Sequence, residues 1–229
     1  QASNHIPAEF QQLGLSSAAI NSHVAWDPGA LEVACQLAQK LDAPLISASV
    51  SRLLYDCNRP VTAPDGIPAK SELYDVPGNQ NLSEDKKQDR IQRIYEPFHG
   101  FIQSFLDENP KIAAVLTIHS FTPVYNGEPR SVDIGLLHDD DNRFAENMKR
   151  LSTNAGDLQI KLNEPYSARD GVTHTLMKHG MKRGLLNAMI EIKNDLIADA
   201  ASVEEISNLL ADWTEVALRD LGVPVARRA

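Results

Sequence analysis

The stretch IAAVLTIHSFTP, residues 112–123, decides the fold class. Its run of apolar and β-branched residues is typical of a strand buried on both faces, as in the centre of a parallel α/β sheet. Pro123 cannot continue a sheet ladder, so we expect the strand to end close to His119. Ligands of open α/β sheets bind just outside the carboxyl ends of the strands, which makes His119 a candidate for the functional site. The alternative is a histidine that caps the strand and hydrogen-bonds a loop carbonyl.

Predicted strands and helices alternate along the rest of the chain. Further strands are predicted over residues 44–50, 131–137, 158–162 and 186–192. Helices are predicted over residues 84–109 and 139–155. Two more helices are predicted from their start signals, one after the Asp27-Pro28 pair and one at the Ser202/Glu205 capping box. This order predicts a single α/β domain over residues 1–229, with a mixed, mostly parallel sheet and helices on both faces.

The composition narrows the class of function. A net charge of −9 argues against non-specific nucleic-acid binding, so an anionic small molecule would be attracted by a local cluster of arginines. The sequence shows no signal peptide and no apolar run of about 18 residues, which predicts a protein without a membrane segment. With only Cys35 and Cys57, the simplest expectation is a cytoplasmic protein with reduced thiols.

A carboxylate ends the apolar run AMIEI. Glu191 is costly to bury there unless it is paired, metal-bound or protonated. Desolvation would raise its pKa towards the range that suits a general base. The alternative role is an ion pair with Lys193 or Arg183.

Three arginines are candidates for binding a substrate carboxylate, because the guanidinium group matches two oxygens at once. Arg52 and Arg59 flank the segment LLYDCN and could frame one anion between them. Arg130 lies in the loop after His119 and could reach the same site, or it could simply be a solvated surface residue.

Two residues near the first long helix have competing interpretations. Asp27, followed by Pro28, is most simply the N-cap of that helix. His23 precedes the helix in a loop of short side chains, and a structural role explains it less easily.

The motifs SRLLYDCNRP, IHSFTPVYNGEPR, NEPY and IEIKNDL, together with ASNHIP and HVAWDPGA near the start, resemble the N-formylglutamate amidohydrolase family over nearly the whole chain. More distantly, the order NR, IHS, EIK is similar to the zinc carboxypeptidase superfamily, which implies a zinc-exopeptidase-like fold. The resemblance implies that Asn58 and Arg59 bind the substrate carboxylate, that His119 binds Zn²⁺ and that Glu191 is the general base.

The resemblance breaks at the amino end. Family members usually carry an acidic residue and a histidine before Ala-Ser-Asn, and here Gln1 stands at the histidine position. Either a metal ligand and its strand have been lost, or the given sequence lacks an N-terminal segment. We favour the second, since losing a strand from the sheet would expose much apolar surface. His23 is then the second predicted metal ligand, followed by Asn4 and Asp27.

Two functions remain open on the sequence. The first is a zinc-dependent hydrolase that cleaves the amide of an N-acyl amino acid such as N-formylglutamate. In it Arg52, Asn58 and Arg59 hold the α-carboxylate, and Arg130 stabilises the developing oxyanion. The second is a catalytically silent protein that binds small carboxylates on the same fold, and the glutamine at position 1 is its best support.

Overall fold

The computed structural model describes residues 1–225, and its centre is a four-stranded sheet. The α-helices are α1 Ser17–Asn21, α2 Ala30–Leu41, α3 Glu84–Arg90, α4 Glu96–Glu108, α5 Arg143–Leu151 and α6 Ala200–Asp220. The strands are β1 Lys70–Ser71, β2 Tyr74–Asp75, β3 Ala114–Phe121, β4 Val124–Tyr125, β5 Glu128–Pro129, β6 Ile134–Leu137, β7 Ile160–Leu162 and β8 Leu186–Lys193. No helix within the described residues is long and apolar enough to span a membrane.

The main sheet is mixed and mostly parallel, as the sequence predicts. Its strand order is β3-β8-β6-β7, and the pairs β3/β8 and β6/β7 are parallel while β6/β8 is antiparallel. Two small antiparallel hairpins, β1-β2 and β4-β5, lie outside it. The α/β class with helices on both faces of the sheet is confirmed.

The two faces of the sheet differ in what covers them. In β8 the side chains of Ala188, Ile190 and Ile192 join the main core, which α2, α5 and α6 share. The opposite face packs against the helical segment 176–183, where Met189 meets Leu176. Since side chains alternate along a strand, Glu191 lies on this second face.

Three predictions about individual elements are wrong. Residues 44–50 form no ladder with any described strand, and alternate side chains of the segment are exposed. The strand β3 lies at the edge of the described sheet rather than in its centre, and its first five residues are only half-buried. The helix predicted over 84–109 is, by contrast, confirmed as one continuous helical run through α3 and α4, in which a π-helical turn, Ile91–Tyr95, precedes Pro97. The last helix begins earlier, with Asp199 as its N-cap.

Candidate active site

The carboxyl ends of β3 and β8 place two of the predicted site residues next to each other. His119 and Glu191 are register partners in this parallel pair. Neighbouring strands lie about 4.8 Å apart, and register partners project from the same face, so imidazole and carboxylate share one site. Both are buried.

Asp27 belongs to this site and does not cap α2. The N-cap is Gly29, at φ +78, and a side chain there would collide with the Ile197 carbonyl. The Asp27 carboxylate instead accepts a hydrogen bond from His119 Nδ1 at 2.8 Å and forms an ion pair with Arg52. The expectation that Asp27 is simply a helix cap is therefore wrong.

The Asp27 pair fixes the state of His119. A carboxylate accepts hydrogen bonds, so the proton is on Nδ1 and Nε2 keeps its lone pair. Nε2 makes no hydrogen bond within residues 1–225. Burial, with the positive charge of Arg52 nearby, holds the pKa of His119 well below its usual value and keeps the ring neutral. Nε2 is therefore available as an acceptor or a ligand.

Glu191 is a buried carboxylate with an unused oxygen. Its residue is 4% exposed, and Oε2 has no hydrogen-bond partner in the described chain. Burial raises the pKa of Glu191 to about 7, against the opposing effect of Arg52 and Arg130. Neither predicted ion pair forms, because Lys193 binds Asp133 and Arg183 binds Asp107.

Arg130 is held between aromatic rings at this site. Its guanidinium carbon lies 4.7 Å from the ring centres of Tyr125 and Tyr166 and 5.3 Å from that of Phe121. It also donates a hydrogen bond to the Tyr166 hydroxyl at 2.9 Å. Such stacking fixes the plane of the guanidinium group and excludes a freely solvated surface role.

Arg59 and Asn58 are tied to the loop before the turn at 176–180. Arg59 Nε donates to Asp65 at 2.8 Å and Nη1 to the Gly171 carbonyl at 3.0 Å. The Asn58 amide donates to the Val172 carbonyl, and its oxygen accepts from Thr175 through N at 3.1 Å and Oγ1 at 2.8 Å. Arg59 Nη2 makes no hydrogen bond within the described residues, whereas the Asn58 side chain is fully engaged.

The other two predicted metal ligands have partners elsewhere. His23 Nε2 hydrogen-bonds Glu72 at 2.6 Å, and Asn4 donates to Asn21 at 3.1 Å. Neither contacts His119 by a hydrogen bond.

The residues present were compared with what zinc requires. Catalytic zinc sites use three protein ligands. Within residues 1–225 no three His, Cys, Asp or Glu side chains are placed to hold a metal ion. His119 offers Nε2 as one ligand. Gln1 also lies at this site, with its backbone nitrogen 3.6 Å from Asp27 Oδ2, but glutamine is not a usual zinc ligand. The described residues therefore do not complete a zinc site.

Comparison with known proteins decides the family. Residues 1–198 match the family described as N-formylglutamate amidohydrolase. The chain belongs to this family. A search of curated proteins found no match.

Two solved structures are similar to this family member. The gene product Atu2144 from Agrobacterium tumefaciens is 45% identical, with a TM-score of 0.93 over 96% of this chain and 88% of that one. The N-formylglutamate amidohydrolase from Ralstonia eutropha JMP134 is 16% identical, with a TM-score of 0.59 over 95% of this chain and 90% of that one. At that identity the second likeness shows the fold alone.

Sequence reasoning missed the contribution of Tyr166 to the site of this amidohydrolase-family chain. Its loop can approach the sheet because β6 carries Gly135, and a Cβ there would lie 1.9 Å from the Glu164 carbonyl oxygen. The signal was a glycine inside an apolar strand, which often marks the close approach of another backbone.

Proposed function

We propose that this protein hydrolyses the amide bond of an N-acyl amino acid, of which N-formylglutamate is the first candidate. The observation that carries the proposal is the buried Glu191 carboxylate, which lies beside His119 and near arginines and has one oxygen without a hydrogen-bond partner among residues 1–225. The family match supports the amide bond as the target.

Glu191 is the proposed general base. Its pKa near 7 suits a group that takes a proton from water and later returns it. The water oxygen bonds to the acyl carbon while Glu191 takes the proton. The C–N bond then breaks, and the proton passes to the amine nitrogen. The products are the free acid of the acyl group and the amino acid.

Each of the three arginines at the site is proposed to interact with a different negatively charged group. Arg59, whose Nη2 makes no hydrogen bond to another described residue, is proposed to bind the α-carboxylate. Arg52 holds Asp27 and lies near Glu191, which places a second positive charge at the same end. Arg130, fixed by its aromatic neighbours and by Tyr166, is proposed to stabilise the negative oxygen that develops on the acyl carbon.

Zinc dependence is a separate proposal. It is supported by the Asp27–His119 pair, because metal-binding histidines commonly donate their other N–H to a carboxylate. Metal analysis of the purified protein tests it, with His119→Ala as the variant and His5→Ala, at an exposed position, as the control. About one zinc per chain, lost only in His119→Ala, would support it, and no zinc after reconstitution would refute it.

The test of the function is amine release from N-formyl-L-glutamate and from its α-carboxamide. We expect Arg59→Ala to lower kcat/KM for the acid, which corresponds to a rise of roughly 2–5 kcal/mol in the activation free energy. The same substitution should change kcat/KM for the α-carboxamide little. The control is Arg143→Ala, whose pair with Asp141 lies at the surface. No hydrolysis of either compound by the wild-type protein, together with saturable binding of the acid, would instead favour the silent carboxylate-binding protein.

A further inference from the structure

A pair of buried histidines is hydrogen-bonded to the segment that carries Arg59, the arginine proposed to bind the carboxylate. His99 comes from α4, and His179 comes from the π-helical turn Leu176–Gly180. Their ring planes are nearly parallel, at 17°, and their ring centres lie 5.0 Å apart, with His99 Nδ1 2.7 Å from His179 Nε2. The other nitrogen of His99, Nε2, lies 2.8 Å from the carbonyl oxygen of Cys57. The residues are 2% and 1% exposed, so this is an interior chain of hydrogen bonds.

The carbonyl at one end assigns every proton in the chain. The Cys57 oxygen can only accept, so Nε2 of His99 carries a proton. In a neutral ring Nδ1 of His99 is then an acceptor, and His179 must donate to it from Nε2. Nδ1 of His179 is left with an unprotonated lone pair, which agrees with its being buried without a hydrogen-bond partner in the part of the chain that the structure describes.

The groups around the pair favour the neutral rings. Within the described residues, the hydrogen-bonded partners of the pair include no carboxylate, and the charges of Lys178, Lys182 and Arg183 disfavour a protonated ring. The rings of Tyr95, Phe98 and His174 complete the surroundings of His99. Burial, the largest cause, lowers the pKa of His99 to about 3 and that of His179 to about 4. The neighbouring histidines and cations add to the effect, whereas the hydrogen bond to Cys57 opposes it at His99.

The hydrogen bonds of the histidine pair join the segment of residues 57–59 to residues 171–180, and so do the hydrogen bonds of Asn58 and Arg59. Cys57 is followed directly by Asn58 and Arg59, and these two side chains bind the backbone of residues 171–175. His179 lies four residues further along that second segment. Gly180 lets the turn pack closely on β8, because a Cβ there would meet Asn187 at 2.8 Å. The two segments are therefore connected twice by hydrogen bonds, once through Asn58 and Arg59 and once through His99 and His179.

We propose that His99 is a positioning residue for Arg59: it holds the Cys57 carbonyl and, through His179, fixes the 171–180 segment on which Arg59 rests. The proposal builds on the proposed function, in which Arg59 binds the substrate carboxylate. π-Helical turns such as Leu176–Gly180 occur frequently at functional sites, in keeping with this role.

Two substitutions at position 99 separate positioning from packing. His99→Leu fills the site but cannot donate to Cys57, whereas His99→Gln keeps a donor at the ε position and stays uncharged. The measured quantity is the ratio of kcat/KM for N-formyl-L-glutamate to that for its α-carboxamide. We expect His99→Leu to lower this ratio at least tenfold through KM for the acid, and His99→Gln to restore it to within threefold of wild type. His5→Gln, at an exposed position, is the control.

Several results would overturn the proposal. These are equal losses on both substrates in His99→Leu, an unchanged ratio in that variant, or a Gln variant that behaves as Leu does. A wild-type ratio near one would refute the carboxylate role of Arg59 and this proposal with it. A measurement that needs no substrate is the ¹⁵N NMR tautomer of the two rings at neutral pH. Both are expected to be Nε2–H, and an Nδ1–H ring at His99 would refute the hydrogen-bond chain even in an active enzyme.

Discussion

Asp27→Asn tests how the site is assembled. Asp27 is 1% exposed and is bonded to both His119 and Arg52. Asparagine has nearly the same shape but no charge, so the guanidinium group of Arg52 would lose its counter-ion. Removing one partner of a buried pair typically destabilises by roughly 3–5 kcal/mol. The Arg52 side chain keeps 26% of its exposure, and we therefore expect the lower end, about 3 kcal/mol.

For a chain of this size each kcal/mol lowers Tm by roughly 2–4 °C, so Asp27→Asn should melt about 6–12 °C below wild type in calorimetry. Its control is Asp107→Asn, which breaks the surface pair with Arg183 and should lose no more than about 1 kcal/mol. The reasoning fails if the Asp27 variant melts as wild type does, or if both variants lose the same amount.

Further predictions concern packing and acid stability. Gly135→Ala should destabilise by about 1–3 kcal/mol in urea unfolding, since its Cβ would overlap the Glu164 carbonyl; Gly100→Ala, in open space on α4, should stabilise by up to about 1 kcal/mol. A Gly135→Ala midpoint at or above wild type would contradict this. His99 and His179 bind a proton more readily unfolded, near pH 6.5, than folded, so stability should fall as pH drops below 6.5, by about 2 kcal/mol per histidine at pH 5. The His99→Gln variant should show a shallower pH dependence, and an equal slope would refute the assignment.

The sequence predicted the centre of the site because strand ends have local signatures. An apolar run that ends in His119, and another that ends in Glu191, place both groups at one edge of any parallel sheet that contains the two strands. The sheet class followed from the same runs. The edge position of β3 did not, because the burial of a strand depends on its neighbours and not on its own residues.

The contacts that were missed join residues far apart in the chain. The local sequence around Asp27 predicts a helix cap, and only the fold brings this residue to His119, which is 92 residues away in the sequence. His99 and His179 are 80 residues apart, and neither lies in a sequence pattern that indicates a contact with the other. Local propensity cannot report such pairs, so the support of the site was visible only in three dimensions.

The most direct test of the proposed mechanism is the rate at which Glu191→Gln hydrolyses N-formyl-L-glutamate, followed by release of the free amine. Glutamine keeps the volume of the side chain but cannot take a proton from water. The proposed mechanism predicts that the variant folds and binds the substrate, while kcat falls by roughly 10²–10⁴-fold. Glu96→Gln, at an exposed position on α4, should keep the wild-type rate. A Glu191→Gln protein that turns over within a few-fold of wild type would contradict the account.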